Sequence, residues 1–200
     1  MAQNHYFSKK PTVKPRYGLV QVHLRGRFFQ FLTASGVFSR KHIDLGTRLL
    51  IESMVLPENG NVLDLGCGYG TIGIVAAAMR PTVHVFMVDV NERAVKLARE
   101  NAKRNGVTNV TLRNGFLYES VDDVQFEAVL SNPPVSAGLK VVLPIIKLAP
   151  VYLASGGFLQ IVLRSKIGGK RLSGAMEEAF GNVEVLARKS GYRVLSSKKP

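Results

Sequence analysis

Residues 62–71 read Val-Leu-Asp-Leu-Gly-Cys-Gly-Tyr-Gly-Thr, an apolar run that breaks into three glycines spaced two apart and then into a helix-forming stretch. Few folds accept that run. A strand that ends at Leu65 and turns over glycines into a helix leaves a loop with no side chains in the way. Backbone N–H groups and the helix N-terminus can then approach a ligand closely.

The rest of the chain keeps the same alternation. The spacing predicts helices over 71–79 and 91–105, the second with apolar Ala94, Val95, Leu97, Ala98 and Ala102 on one stripe and Gly106 as its stop. Between them, residues 83–88 form a continuous apolar run, as a strand buried on both faces requires. Further strands are expected over 110–112, 128–130 and 157–163, and helices over 139–153, kinked or interrupted by Pro144 and Pro150, and over 172–180. Residues 183–186 and 192–195 close the chain, joined by a tight Lys189-Ser190-Gly191 turn that makes them antiparallel. The class is therefore α/β, a doubly wound, mostly parallel sheet with an antiparallel last strand. Residues 18–38 alternate as short strands ahead of it, an N-terminal β extension, and Asp44 caps a helix that ends before Pro57.

Two hundred residues with 46% apolar content are enough for one packed domain, assigned to 18–200. Residues 1–17 mix Lys9, Lys10, Lys14 and Arg16 with Pro11 and Pro15 without periodicity and read as a flexible basic arm. No apolar run approaches the roughly 20 residues that cross a bilayer, and the N-terminus lacks the apolar stretch of a secretory signal. A single cysteine excludes a disulfide framework and a multi-cysteine zinc site and fits a reducing cytosol. His5, His23, His42 and His84 are scattered, with no metal-binding spacing. The expectation is a cytoplasmic protein with no metal, no membrane partner and no obligate protein partner.

The net charge of +13 is uneven: residues 1–48 carry +8, 49–163 carry −1 and 164–200 carry +6. Basic runs commonly serve solubility. Here both ends are basic around a nearly neutral, motif-bearing middle, which suits a cofactor pocket flanked by a rim that binds nucleic-acid phosphates.

In open α/β sheets a ligand sits at the carboxyl ends of the strands where strand order reverses. Asp89 ends the second strand, nineteen residues after Gly70, where an acid accepts both ribose hydroxyls of a nucleoside cofactor. The dinucleotide fingerprint Gly-x-Gly-x-x-Gly fails, because its third glycine falls on Thr71 when counted from Gly66. Asp64 is an added acid suited to the positively charged methionine end of S-adenosylmethionine (SAM), and the same side chain can tie down the turn. SAM is favoured over NAD. Cys67 has no histidine beside it and reads as small-residue packing rather than a nucleophile.

Asn132-Pro133-Pro134 follows the fourth strand and lies on the same carboxyl edge. An aniline-like amine is a poor nucleophile because its lone pair is delocalised into the ring. Two acceptors, the Asn132 side-chain oxygen and the Pro133 carbonyl, can hold its two N–H bonds and aim the lone pair at a methyl group. The prolines fix the backbone that carries them. A proline turn ending a strand is the plainer explanation, and position and company weigh against it.

Residues 62–70, Asp89 and 132–134 resemble the class I SAM-dependent methyltransferases, specifically their amino-methylating branch. Residues 31–39 and 43–47, with Gly138, are similar to the small-subunit ribosomal RNA guanine-N2 methyltransferases and their compact archaeal relatives, over roughly 28–165. The resemblance implies a seven-stranded Rossmann-like sheet, SAM as donor with S-adenosylhomocysteine as product, and guanine of rRNA or tRNA as acceptor. It implies cofactor contacts at Asp64, Gly66, Cys67, Gly68, Gly70, Asp89, Val90, Asn114, Phe116 and Asn132. Catalysis would fall to Asn132, Pro133 and Pro134, and substrate contacts to Phe38, Arg40, Val135, Lys9 and Lys10. The segment 33–47 would help to enclose both ligands.

Two departures stand out. Val135 occupies a position that is usually aromatic, so stacking on the base falls to Phe38, or to Tyr6 and Phe7, or is replaced by aliphatic packing. Phe116 replaces an acid that often contacts adenine, and either stacks on the adenine or belongs to the core. The larger bacterial relatives also carry a second domain for which 200 residues leave no room. Alternatives are a protein glutamine N-methyltransferase, a DNA adenine or small-molecule enzyme, and a non-catalytic RNA-binding protein that keeps the fold.

Overall fold

Seven strands form one sheet in the computed structural model, which describes residues 13–133, 138–166 and 168–200. In chain order they are β3 (Gly60–Leu65), β4 (Val83–Asp89), β5 (Val110–Asn114), β6 (Phe126–Ser131), β7 (Leu153–Arg164), β8 (Glu184–Lys189) and β9 (Tyr192–Lys198). In space the order is β5-β4-β3-β6-β7-β9-β8. Strands β3 to β7 are parallel, and β9 slots between β7 and β8 antiparallel to both. The antiparallel last strand expected from the Lys189–Gly191 turn is therefore present, with its insertion beside β7 as the added detail. Strand β3 pairs with β4 on one side and β6 on the other, so the winding reverses there. That reversal opens the crevice in which such sheets hold ligands.

Helices α1 (Leu45–Ser53), α2 (Thr71–Met79) and α3 (Glu92–Arg104) cover one face, and α4 (Leu139–Tyr152) and α5 (Gly169–Phe180) the other. Alternate strand residues feed the two cores: Val62, Val85 and Met87 face the first, and Leu63, Leu65 and Val88 the second. Helix α4 runs through Pro144 and Pro150 as one element, so of the kink or interruption expected there the interruption does not occur. No helix among the described residues is long and apolar enough to cross a membrane.

The N-terminal extension is a separate hairpin, β1 (Tyr17–Leu24) and β2 (Arg27–Ala34), which buries Phe29 and Phe31 against the α3 side of the molecule. Two asparagines one helical turn apart on α3 complete the open edge of β2. Asn101 accepts from Leu32 N–H at 2.6 Å and donates to the Leu32 carbonyl at 2.9 Å. Asn105 does the same with Gln30, at 3.0 and 2.8 Å. A strand edge that would otherwise leave backbone groups unpaired is thus tied to α3 and its C-terminal cap. Of the basic arm, Lys14 and Arg16 lie within the described residues: the Lys14 carbonyl accepts from Ser35 Oγ and Arg16 N–H donates to the same hydroxyl.

Candidate active site

The glycine loop sits at the carboxyl end of β3, held against the neighbouring strand. Gly66 and Cys67 N–H groups both donate to the Val88 carbonyl, at 2.9 and 3.0 Å. Gly66 and Gly68 have φ of 76° and 58°, and a methyl group added to either would meet nothing within 4 Å. The space above them is open to the cavity. Gly70, at φ 93°, starts α2; a Cβ there would come within 2.8 Å of Ile74 and 3.1 Å of Ala98, so glycine is needed for α2 to approach α3.

Asp89 ends β4 on the cavity wall. Its carboxylate accepts from Gly68 N–H and Asn91 N–H, each at 2.8 Å, which locks the loop to the start of α3. Burial raises its pKa, against the pull of those two N–H donors. Asn114 donates to the Asp89 and Val90 carbonyls and borders a shallow annex with Val90, Phe116 and Ser120. Phe116 is 44% exposed on the wall, outside the core.

Asp64 lies beneath the loop, fully buried and off the wall. Its Oδ2 accepts from Gly73 N–H at 2.8 Å, tying β3 to the first turn of α2, while Oδ1 has no partner among the described residues. Burial, offset in part by Gly73 N–H, pushes its pKa up to about 7. Cys67 is buried on the wall, and its thiol is pushed well up by burial and then by Asp89 and Asp64, so it stays protonated.

The raised Asp64 has a measurable consequence. The folded protein holds a proton there at pH values where the unfolded chain has released it, so stability falls as pH rises from about 4 to about 7. The cofactor-free Asp64→Asn variant keeps the bond to Gly73 and should lose this slope. Thermal melts at pH 5 and pH 8 test it; parallel changes in both proteins would contradict the assignment.

The opposite wall comes from the segment between β2 and α1. Val37, Phe38 and Ser39 line the cavity, and Ser39 takes φ 54°. The segment is pinned from several sides: Asn91 Nδ2 donates to the Gly36 carbonyl, Tyr69 Oη to the Ser39 carbonyl, and Thr33 Oγ1 to the Arg40 carbonyl. Arg40 itself turns its guanidinium to the Arg16 carbonyl rather than into the cavity.

Asn132 and Pro133 follow β6 and line the same cavity of about 520 Å³ as the glycine loop and Asp89. Asn132 Nδ2 donates to Thr47 Oγ1 at 2.8 Å and to Asp44 Oδ2 at 3.2 Å. Asp44 also caps α1, accepting from Gly46 and Thr47 N–H. Tyr192 Oη is 3.5 Å from Asp44 Oδ1 and accepts from Arg164 Nε at 2.9 Å. Asp44, Thr47, Arg164 and Tyr192 all line the cavity; the first two belong to the 33–47 segment expected to enclose the ligands, and Arg164 and Tyr192 carry no such mark in the sequence. Pro134, Val135, Lys9 and Lys10, with Tyr6 and Phe7, lie outside the described residues.

Residues 28–196 match the family model described as methyltransferase small domain. The chain belongs to that family. Its family and fold are those of SAM-dependent methyltransferases. The methyltransferase is 44% identical over 197 residues to the uncharacterized protein YbxB of Bacillus subtilis, covering 98% of each. It is 33% identical to ribosomal RNA small subunit methyltransferase C of Photorhabdus laumondii, over 84% of this chain and 49% of that protein. In structure it superposes, with a TM-score of 0.84 and 24% identity, on a 16S rRNA N2 methyltransferase (RsmC) of T. thermophilus in complex with AdoMet (SAM) and guanosine. The match covers 95% of this chain and 52% of that one. The methyltransferase thus spans about half the length of these rRNA-modifying relatives.

Proposed function

We propose that this methyltransferase transfers the methyl group of SAM to an exocyclic amino group of RNA, the N2 of guanine in ribosomal RNA or tRNA. The observation that carries the reading is the orientation of Asn132. Both amide hydrogens are directed to Thr47 and Asp44, and no donor among the described residues takes its Oδ1, which serves as the acceptor in a cavity that Asn132 lines with Pro133.

The residues present suit SAM. Open space above Gly66 and Gly68 admits the cofactor against backbone, Asp89 offers a carboxylate for ribose hydroxyls, and Val90 and Phe116 offer apolar faces for adenine. Asp64 acts from below, through the turn it ties to α2. When bound, SAM supplies a methyl group already activated on a sulfonium. Asn132 Oδ1 and the Pro133 carbonyl then hold the two N–H bonds of the acceptor amine, which turns its lone pair out of conjugation and toward the methyl. The 33–47 segment and the glycine loop enclose the two ligands and exclude water. A base must leave its stack to reach this depth.

Support for an RNA acceptor comes from charge and from Arg164. Both basic ends flank the neutral centre, and Arg164 lines the cavity with its guanidinium 5.2 Å from the Tyr192 ring centroid. Its Nε is used by Tyr192, and its Nη groups take no partner among the described residues, which suits a phosphate oxygen. An RNA substrate and a single cysteine fit a cytoplasmic site of action.

Arg164→Ala should weaken binding of unmodified small-subunit rRNA and lower the slope of log K against log salt by about one, with SAM affinity unchanged. Removing residues 1–12 should lower the slope further. An unchanged slope in both would leave the basic ends as aids to solubility. Labelled SAM incubated with that RNA and with cell protein separates the alternatives: label in RNA supports the proposal, and label confined to protein supports glutamine methylation.

A further inference from the structure

An asparagine side chain carries an acceptor on one arm and two donors on the other, and the two arms are nearly equal in shape. Which arm faces a substrate amine decides whether the clamp attracts or repels it. Asp44 Oδ2, already anchored by Gly46 N–H at 2.9 Å and Thr47 N–H at 3.2 Å, lies 3.2 Å from the Asn132 amide nitrogen. A carboxylate only accepts, so only the NH2 arm can face it. Thr47 Oγ1 takes the other amide hydrogen at 2.8 Å. An inverted amide would set its oxygen lone pairs against the carboxylate.

Asp44 is itself braced from the far end of the chain. Tyr192 reaches its Oδ1 at 3.5 Å, and Arg164 holds the phenol from above. Gly46 lies beside the ring, where a Cβ would come within 2.9 Å of two Tyr192 ring carbons. Glycine at 46 therefore admits Tyr192 to the start of α1.

We propose that Asp44 is the positioning residue that sets the polarity of the amine clamp, with Tyr192 as its brace. This rests on the reading of Asn132 as the amine acceptor. Asp44 also lines the cavity, and in this role it acts through Asn132, by denying it the wrong orientation.

The variants to compare are Asp44→Ala, Asp44→Asn and Tyr192→Phe, well below their melting temperatures. The probes are unmodified small-subunit rRNA and labelled SAM. Asp44→Ala frees the amide to rotate and should lower kcat about tenfold or more, with KM for RNA and Kd for SAM within about twofold. Asp44→Asn should restore kcat to within about threefold, because its amide oxygen takes the place of Oδ2 and keeps all three donors satisfied. Both variants are melted as well, so that loss of the α1 cap is seen separately from loss of turnover.

A second readout needs no substrate. The Asn132 side-chain NH2 resonances should exchange slowly with solvent in wild type and in Asp44→Asn, and fast in Asp44→Ala. Tyr192→Phe should fall between. Wild-type turnover in Asp44→Ala, equal impairment of the Asn and Ala variants, or unchanged exchange would each overturn the proposal. If wild type methylates no RNA, the RNA reading fails, and the exchange measurement still decides the role of Asp44.

Discussion

Replacing Asn132 by alanine should leave SAM affinity within about twofold and lower methyl transfer by about 100-fold or more, a loss typical of removing one preorganised polar group aimed at the reacting atoms. The split follows from position. Asn132 follows β6, while the glycine loop and Asp89, which are proposed to hold the cofactor, belong to β3 and β4. Of the two roles the resemblance implies for Asn132, the amine clamp is therefore the one expected to dominate. What goes is a cavity-lining side chain whose amide hydrogens are both taken by Thr47 and Asp44, which holds its acceptor arm in place. Asn132→Ala also leaves Asp44 and Thr47 with one donor fewer, a cost of about 1 kcal/mol in stability, too small to unfold the domain. Calorimetry with SAM and a turnover assay on the same preparation check both halves. Full turnover would remove the clamp from the account.

Asp89→Ala should do the reverse and weaken SAM binding by about 100-fold or more, as loss of hydrogen bonds from two hydroxyls to a carboxylate at about 1.5–3 kcal/mol each requires. The effect has a second source. Asp89 also holds Gly68 N–H and Asn91 N–H, so alanine releases the glycine loop from the start of α3. Saturating SAM should therefore recover part of the turnover, which it does not do for Asn132→Ala. An unchanged dissociation constant by calorimetry would contradict the assignment to the ribose.

Much of this arrangement was legible in the chain itself. The loop at 66–70 and the run at 83–88 announce their neighbours by local pattern, since a buried parallel strand and a glycine turn each leave a dense signature within a few residues. Asp89 and Asn132 follow from being placed where strands end. The hairpin at 17–34 was also visible as alternation, though nothing in that alternation shows that Asn101 and Asn105 would complete its edge.

The polar frame behind the clamp was not legible. Asp44 reads as a helix cap, and it is one, yet the same carboxylate serves Asn132, 88 residues away, and Tyr192, 148 residues away. Contacts at such separations leave no periodicity in either segment. Tyr192 reaches the site only because β9 inserts beside β7, and the tight turn that predicts β8–β9 pairing does not specify that insertion. Phe116 was equally poised between core and ligand in the sequence, and its exposure on the wall places it outside the core. Asp64 shows the converse: its motif points to the cofactor, whereas its hydrogen bond is to the turn below.

The most direct test is to incubate the protein with isotopically labelled SAM and unmodified small-subunit rRNA, digest the RNA to nucleosides and identify the labelled species by mass spectrometry. The account predicts label in N2-methylguanosine, absent when Asn132→Ala replaces the wild-type protein. Label in another nucleoside, or none in RNA while SAM is bound, would contradict it.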